Sequence, residues 1–227
     1  MPFLTGHGYC DYVARKRYTR NMKTISKYFP HFLLAVYVIE WTVLATAPYD
    51  RAVWMAENFP IMAIVALLVF LYVRGVRFSN LGYALASVLI FWHTVGGYYT
   101  FERVPFDFIT NLFGWERNNF DRVGHFSVGF YAFLFMEYFV RSKVITKKWI
   151  AYLASFAIIG SVAAFYEIVE WVYAVKEGGE VGLAFLGSQG DIWDAQKDMA
   201  LDMLGAVVAL LIFFVREKIK PFLTKIK

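Results

Sequence analysis

Long apolar stretches recur six times along the chain, at Pro30 to Ala47, Phe59 to Val73, Leu81 to Tyr99, Val123 to Val140, Trp149 to Val175 and Met199 to Val215. Most approach the ~20 residues that a helix needs to cross the ~30 Å hydrocarbon core of a bilayer. Backbone polar groups in hydrocarbon must be satisfied within a helix or a closed barrel, and these runs lack the period-two alternation of barrel strands. The pattern therefore predicts an all-α polytopic membrane protein, a bundle of about six transmembrane helices. The second run is short for a span, so it is expected to tilt little or to thin the bilayer locally. With no repeat, low-complexity tract or long polar insertion, residues 29–216 read as one transmembrane domain. A basic N-terminal segment (1–28) and a basic tail (217–227) flank it.

Composition strengthens this picture. The 227 residues are 59% hydrophobic, 20% aromatic and only 18% charged, which excludes an ordinary soluble enzyme. The net charge of +5 comes from Lys and Arg at the ends of apolar runs, where they orient a membrane protein rather than bind nucleic acid. A single Cys10 excludes an internal disulfide and a thiolate zinc site, leaving oxygen and imidazole ligands for any metal. The first run is not a signal peptide despite Ala45-Thr46-Ala47: it is too long, it carries Glu40, and Pro48 follows the apparent cleavage site.

Ionisable groups inside spans are costly, so each calls for a function or a partner. From the outer end of each helix, at ~1.5 Å per residue, Glu40 lies ~10 Å deep, His93 ~9 Å, His125 ~3 Å, Glu167 ~12 Å, Glu170 ~8 Å and Asp202 ~5 Å. Six groups from five helices thus share the outer half of the bilayer. Glu137 lies near the inner end, where Arg141 at i+4 is its expected partner. Asp121 and His125 are four apart, with Asp121 placed as an N-cap. Glu167 and Glu170 are three apart, and Asp191, Asp194, Asp198 and Asp202 form an acidic stripe leading into the last helix. Gly205, Ala206 and Ala209 continue that helix with small residues that admit a close neighbour.

So many carboxylates in low dielectric need a cation or protons. A divalent ion, Zn, Mn, Mg or Fe, suits carboxylates with His93 and His125. Ordinary explanations stand beside this one. Glu167 and Glu170 can pair with Arg103, Arg117 or Arg122; Asp191 and Asp194 can cap a turn around Gly187 and Gly190; His93 can be a core histidine; Glu40 can hydrogen-bond within the bundle. His7 and His31 fall outside any site. Trp54, Tyr99, Trp115 and Trp149, at span ends, read as interfacial anchors.

Four ordered motifs carry a resemblance. They are His93-Thr94-Val95-Gly96-Gly97 through Glu102, Arg117-Asn118-Asn119-Phe120-Asp121-Arg122-Val123-Gly124-His125-Phe126, Phe165-Tyr166-Glu167-Ile168-Val169-Glu170-Trp171, and Gly187-Ser188-Gln189-Gly190-Asp191-Ile192-Trp193-Asp194 through Met199. Over residues 30–215 the chain resembles the YjdF-like family of inner-membrane proteins, and the Asp-x-x-x-His-Phe block with the Asp-rich helix start is distantly similar to VanZ-like membrane proteins. The resemblance implies a multi-span membrane protein and supplies no reaction.

The residues themselves point to a metal-dependent membrane enzyme, acting by hydrolysis or group transfer on a lipid or lipid-linked envelope substrate at the outer half of the membrane. Glu167 and His93 are the expected catalytic residues, and Asp121, His125, Glu170, Asp194, Asp198 and Asp202 the expected metal ligands. A proton- or cation-coupled carrier and a non-catalytic scaffold are the rival readings. The expected location is a bacterial inner membrane or an archaeal cell membrane.

Orientation follows from Lys and Arg on alternate connections. Seventeen fall on the side of the N-terminal segment, the loops at Arg74 and Lys147, and the tail; Arg51, Arg103, Arg117, Arg122, Lys176 and Lys197 fall on the other. Starting at Met22 instead of Met1 leaves thirteen against the same six. Both termini are therefore expected in the cytoplasm. In intact cells, an impermeant thiol reagent should label a cysteine placed at Glu116 and spare one at Lys147. The reverse pattern would overturn the orientation.

Overall fold

The computed structural model describes residues 27–179, 182, 186 and 188–225, with side chains to residue 219. His7, Cys10 and Gly187 lie outside the described residues, as does most of the basic N-terminal segment. Every regular element among the described residues is helical: α1 (27–44), α2 (Arg51–Val73), α3 (Asn80–Tyr99), α4 (Asp107–Phe113), α5 (Phe120–Val128), α6 (Tyr131–Ser142), α7 (Lys148–Glu177) and α8 (Asp194–Lys225). Four segments are long and apolar enough to cross a membrane: α2, α5 with α6, α7, and α8 to Ile219. At 20 residues α3 also reaches ~30 Å, and α1 falls little short. Phe32, Ile39, Phe59, Leu67, Phe70, Leu153, Phe165 and Leu211 are all exposed, so the outer surface is apolar, as hydrocarbon requires and water forbids.

The second run differs from its expected length. Asp50 caps a 23-residue α2, its carboxylate accepting from the N–H groups of Ala52 at 2.8 Å and Val53 at 2.9 Å. Pro60 sits inside this helix rather than near its start, at the cost of one backbone bond to Ala56. Because Val53, Trp54, Glu57 and Ile61 repeat at helical spacing and are buried, packing holds the extra turns. Trp54 is accordingly no interfacial anchor: it is 1% exposed and packs against Trp41, ring centroids 6.2 Å apart.

The fourth run begins at Phe120, so Asp121 lies within the first turn instead of capping it. It is also divided. Around Gly129 the backbone tightens to i→i+3 bonds, Phe130 N–H to Ser127 and Ala132 N–H to Gly129. Here it crosses α8 backbone to backbone: a Cβ on Gly205 would collide with the Phe126 carbonyl, and one on Gly129 with Ala206 N and the Asp202 carbonyl. Below the crossing, Ala132, Phe133 and Met136 of α6 pack with Ala206, Ala209 and Phe213 of α8 and Ile159 of α7. Thus α8 is central, with α5, α6 and α7 all packed on it.

At the opposite end of the bundle Glu137, 2% exposed, joins three helices. It accepts from Ser79 N–H at 2.8 Å, Arg216 at 2.5 Å and Arg141 at 3.3 Å. The expected Arg141 partner is present, half exposed and longer than Arg216. Since both arginines can turn to solvent, the pair stabilises by about 1–3 kcal/mol rather than by the larger value of a sealed ion pair.

The glycine crossing generates a clear expectation. Gly205→Val should cost about 3 kcal/mol by forcing the helices apart, and should lower both the melting temperature and the yield of monodisperse protein in detergent. Gly160→Ala is the control: its Cβ meets the flexible Met203 side chain at ordinary contact distance, Sδ at 3.5 Å and Cγ at 3.8 Å, and should be tolerated. Equal stability of the two variants would contradict a crossing that admits no side chain.

Candidate functional site

Above the crossing a cavity of ≈ 350 Å³ opens between α2, α3, α5, α7 and α8. Helical spacing builds its walls. Leu89 and His93 of α3, Tyr166 and Glu170 of α7, and Asp198 and Asp202 of α8 are each four apart, so both members of every pair face inward. From α5 come Asp121 and His125, and from α2 Glu57, Ile61 and Ile64. Polar groups gather at one end, and Pro60, Ile64, Val128 and Val162 line the other.

His125, Glu167 and Asp198 each offer one ligand atom within 4.8 Å of the others. His125 Nδ1 also meets Asp202 Oδ2 at 3.3 Å. Glu167 Oε1, Asp198 Oδ1 and Asp202 Oδ1 are buried with no hydrogen-bond partner. Asp198 and Asp202 are 3% and 1% exposed, which makes these orphan oxygens expensive unless something neutralises them.

A second trio, Asp121, Asp194 and Asp198, is already served by protein cations. Arg117 donates to Asp121 Oδ2 at 2.5 Å and to Asp194 Oδ1, while Arg122 donates to Asp191 Oδ2 at 2.6 Å and Asp194 Oδ1 at 3.2 Å. Arg122 Nε also comes within 3.9 Å of Asp198. Of the three arginines expected opposite Glu167 and Glu170, Arg117 and Arg122 are thus paired with aspartates instead, because the helix-start segment Arg117 to Arg122 lies along the acidic stripe, and Arg103 lies 3.6 Å from Glu102. Asp194 is 8% exposed and is no solvated cap.

These bonds also form a latch across the outer end. Asn118 N–H donates to Gln189 Oε1 at 3.1 Å, Gln189 Nε2 donates back to the Asn118 carbonyl at 2.9 Å, and Arg117 donates to the Ser188 carbonyl. Lys197 and Arg122, with the Trp193 N–H, hold the Asp191 carboxyl well below the usual aspartate range. That support is therefore complete above about pH 4 and weakens as acid protonates Asp191.

The sequence reading missed Glu57. It is 3% exposed, and its Oε2 lies 3.1 Å from His93 Nε2 and 3.4 Å from the Tyr166 hydroxyl. The same His93 nitrogen lies 3.1 Å from the Glu57 carbonyl oxygen, which can only accept, so Nε2 carries a proton; in the neutral tautomer the lone pair is then on Nδ1. Small residues make room for this pair. A Cβ on Gly97 would press on Glu57 Cβ at 3.1 Å, and one on Gly96 would strike Phe101. Phe101 folds back through left-handed Thr100 and Phe101 to pack edge-on against His93, centroids 4.9 Å apart. His93 is therefore both a packed histidine and a cavity wall. Glu40 stays in α1 away from the cavity, one oxygen without a hydrogen-bond partner.

Of the eight expected site residues, the structure places Asp121, His125, His93, Glu170, Asp198 and Asp202 on the cavity, Glu167 in the trio with His125 and Asp198, and Asp194 in the arginine cluster. Tyr166 and Glu57 join them. Tyr166 bridges the two His–carboxylate pairs, its hydroxyl on Glu57 and its ring 6.3 Å from that of His125.

Residues 29–218 match the family described as Predicted membrane protein (DUF2238). The chain is 34% identical over 166 residues to Inner membrane protein YjdF of Escherichia coli (strain K12), covering 72% of this chain and 78% of that protein. No solved structure matches. The VanZ-like resemblance rests on its motifs alone. With four helical segments long and apolar enough to cross a membrane among the described residues and a family match over residues 29–218, this integral membrane protein belongs to the DUF2238 family.

Proposed function

We propose that the cavity is the active site of a divalent-metal-dependent membrane enzyme, performing hydrolysis or group transfer on a lipid or lipid-linked envelope substrate. The name of the Escherichia coli relative supports an inner-membrane location, and the charge asymmetry supports cytoplasmic termini with the site toward the outer leaflet. One observation carries the reading: three potential ligands converge where buried oxygens of Glu167, Asp198 and Asp202 have no hydrogen-bond partner, Arg122 Nε coming no nearer than 3.9 Å to Asp198.

Three donors around one ion at 2.0–2.2 Å lie about 3.3–3.8 Å from one another, so a trio within 4.8 Å needs to close by at most about 1–1.5 Å. In this assignment His125 Nε2, Glu167 and Asp198 hold the ion. Asp202, accepting from Nδ1–H, fixes the imidazole tautomer and orientation, as carboxylate partners of metal-bound histidines do. Asp121 and Asp194 become partners of the arginine latch. The two glutamates exchange their expected roles: Glu167 ligates, and Glu170, which lines the cavity, takes a proton. On the α3 wall the His93 lone pair at Nδ1 serves as a second proton acceptor. A bound ion would activate water or polarise a phosphoryl or carbonyl oxygen.

Elemental analysis of protein purified after Zn, Mn, Mg or Fe supplementation should find near-stoichiometric metal, and chelator should lower the melting temperature. Both effects should vanish in Glu167→Gln and His125→Ala, whereas Asp202→Asn should weaken metal affinity about 10–100-fold. Substoichiometric metal in the parent, with Glu167→Gln melting higher because repulsion is relieved, would contradict the enzyme reading and favour a scaffold or a proton-linked carrier.

A further inference from the structure

The cavity's two ends differ. At one end Leu186 lines it, and hydrogen bonds with Arg117 and Asn118 tie Ser188 and Gln189 to the start of α5. Its side is not covered. Ala63 of α2 and Val162 of α7 both line the cavity, and both are exposed, Val162 at 49%. A residue that is at once cavity wall and outer surface marks a mouth.

The packing shows why the mouth exists. α2 packs on α3, and α7 packs on α6 and α8, whereas α2 and α7 form no packed interface among the described residues. Tyr166 spans the gap at its outer end through its hydroxyl to Glu57. Ala63 lies six residues inward of Glu57 and Val162 four inward of Tyr166, ~9 Å and ~6 Å deeper along their helices. Val162 is also at the middle of the 30-residue α7. At that depth the medium outside is hydrocarbon, not water.

We infer that the gap between α2 and α7, beneath the Tyr166–Glu57 bridge and flanked by Ala63 and Val162, is a lateral portal through which one hydrocarbon chain of a membrane lipid enters the cavity. This rests on the cavity being the functional site. The chain lies against Pro60, Ile64, Leu89 and Val128, and its polar head reaches the carboxylate end. At ≈ 350 Å³ the space is at the small end of ligand-sized pockets, which suits one chain rather than two. Small Ala63 opposite Val162 leaves the mouth open, so side-chain size there controls entry.

The test uses the full chain in vesicles containing a phospholipid with a photoactivatable diazirine near the middle of one acyl chain, with labelled residues mapped by mass spectrometry. Label should appear on Leu89, 4% exposed and reachable only from within, and on Val128, as well as on outer-surface Leu211. In Ala63→Trp with Val162→Trp, labelling of Leu89 and Val128 should fall several-fold while Leu211 is unchanged. Parent label confined to the outer surface would overturn the portal whatever the variant does. Undiminished Leu89 labelling in a variant that keeps its Leu211 label would overturn this route as well. Metal content, measured on the same samples, separates the two ideas: stoichiometric metal without interior label sinks only the portal, and interior label without metal sinks only the metal enzyme.

Discussion

Contact between Gly129 and Gly205 governs the architecture around the site. Because neither residue has a side chain, the α5–α6 junction reaches α8 backbone to backbone, closer than ordinary helix packing permits. His125 lies one turn before Gly129 and Asp202 one turn before Gly205, so the crossing delivers imidazole to carboxylate. Asp198 follows one turn further out and meets the arginine-bearing start of α5. In hydrocarbon, where burying apolar surface gives no driving force between helices, such close contact and the polar bonds above it replace the hydrophobic effect as the source of association.

The second constraint is charge. Asp121, Asp191, Asp194, Asp198, Asp202, Glu167 and Glu170 share a small volume in which, among the described residues, Arg117, Arg122 and Lys197 are the permanent cations that pair with them. The arginines neutralise the outer aspartates. Beyond Asp198, which Arg122 Nε reaches only at 3.9 Å, the carboxylates of Glu167, Glu170 and Asp202 continue with no arginine or lysine ion pair among the described residues. A protein retains such an imbalance in low dielectric only when a proton or metal ion resolves it. The latch and the site thus divide one acidic stripe into a part that is structural and a part that is chemically available.

Much of this was legible in the sequence for physical reasons. Hydrocarbon demands long apolar helices, so the four segments long and apolar enough to cross a membrane were visible as apolar runs, and the shared depth of His93, His125, Glu167, Glu170 and Asp202 pointed to one region. Gly205 with Ala206 and Ala209 announced a close neighbour. Glu57 was hidden by the boundary drawn at Phe59 and by Pro60, although Asp50 as a cap and the Val53, Trp54, Glu57, Ile61 spacing carry its signal. Residues three apart on a helix differ by about 60° in direction, which is why Glu167 and Glu170 could not be told apart without the neighbouring helices. The pairing of Arg117 and Arg122 with aspartates some seventy residues away is a tertiary choice that no local pattern encodes.

The central claim is that the glycine crossing assembles His125, Glu167 and Asp198 around one ion. X-ray absorption at the metal edge of Zn- or Mn-loaded protein tests it most directly, because the first shell reports donor types without reference to any substrate. The account predicts one imidazole nitrogen with carboxylate oxygens at about 2.0–2.2 Å, the imidazole signal disappearing in His125→Ala. A shell of water oxygens alone, or one unchanged by His125→Ala, would contradict it.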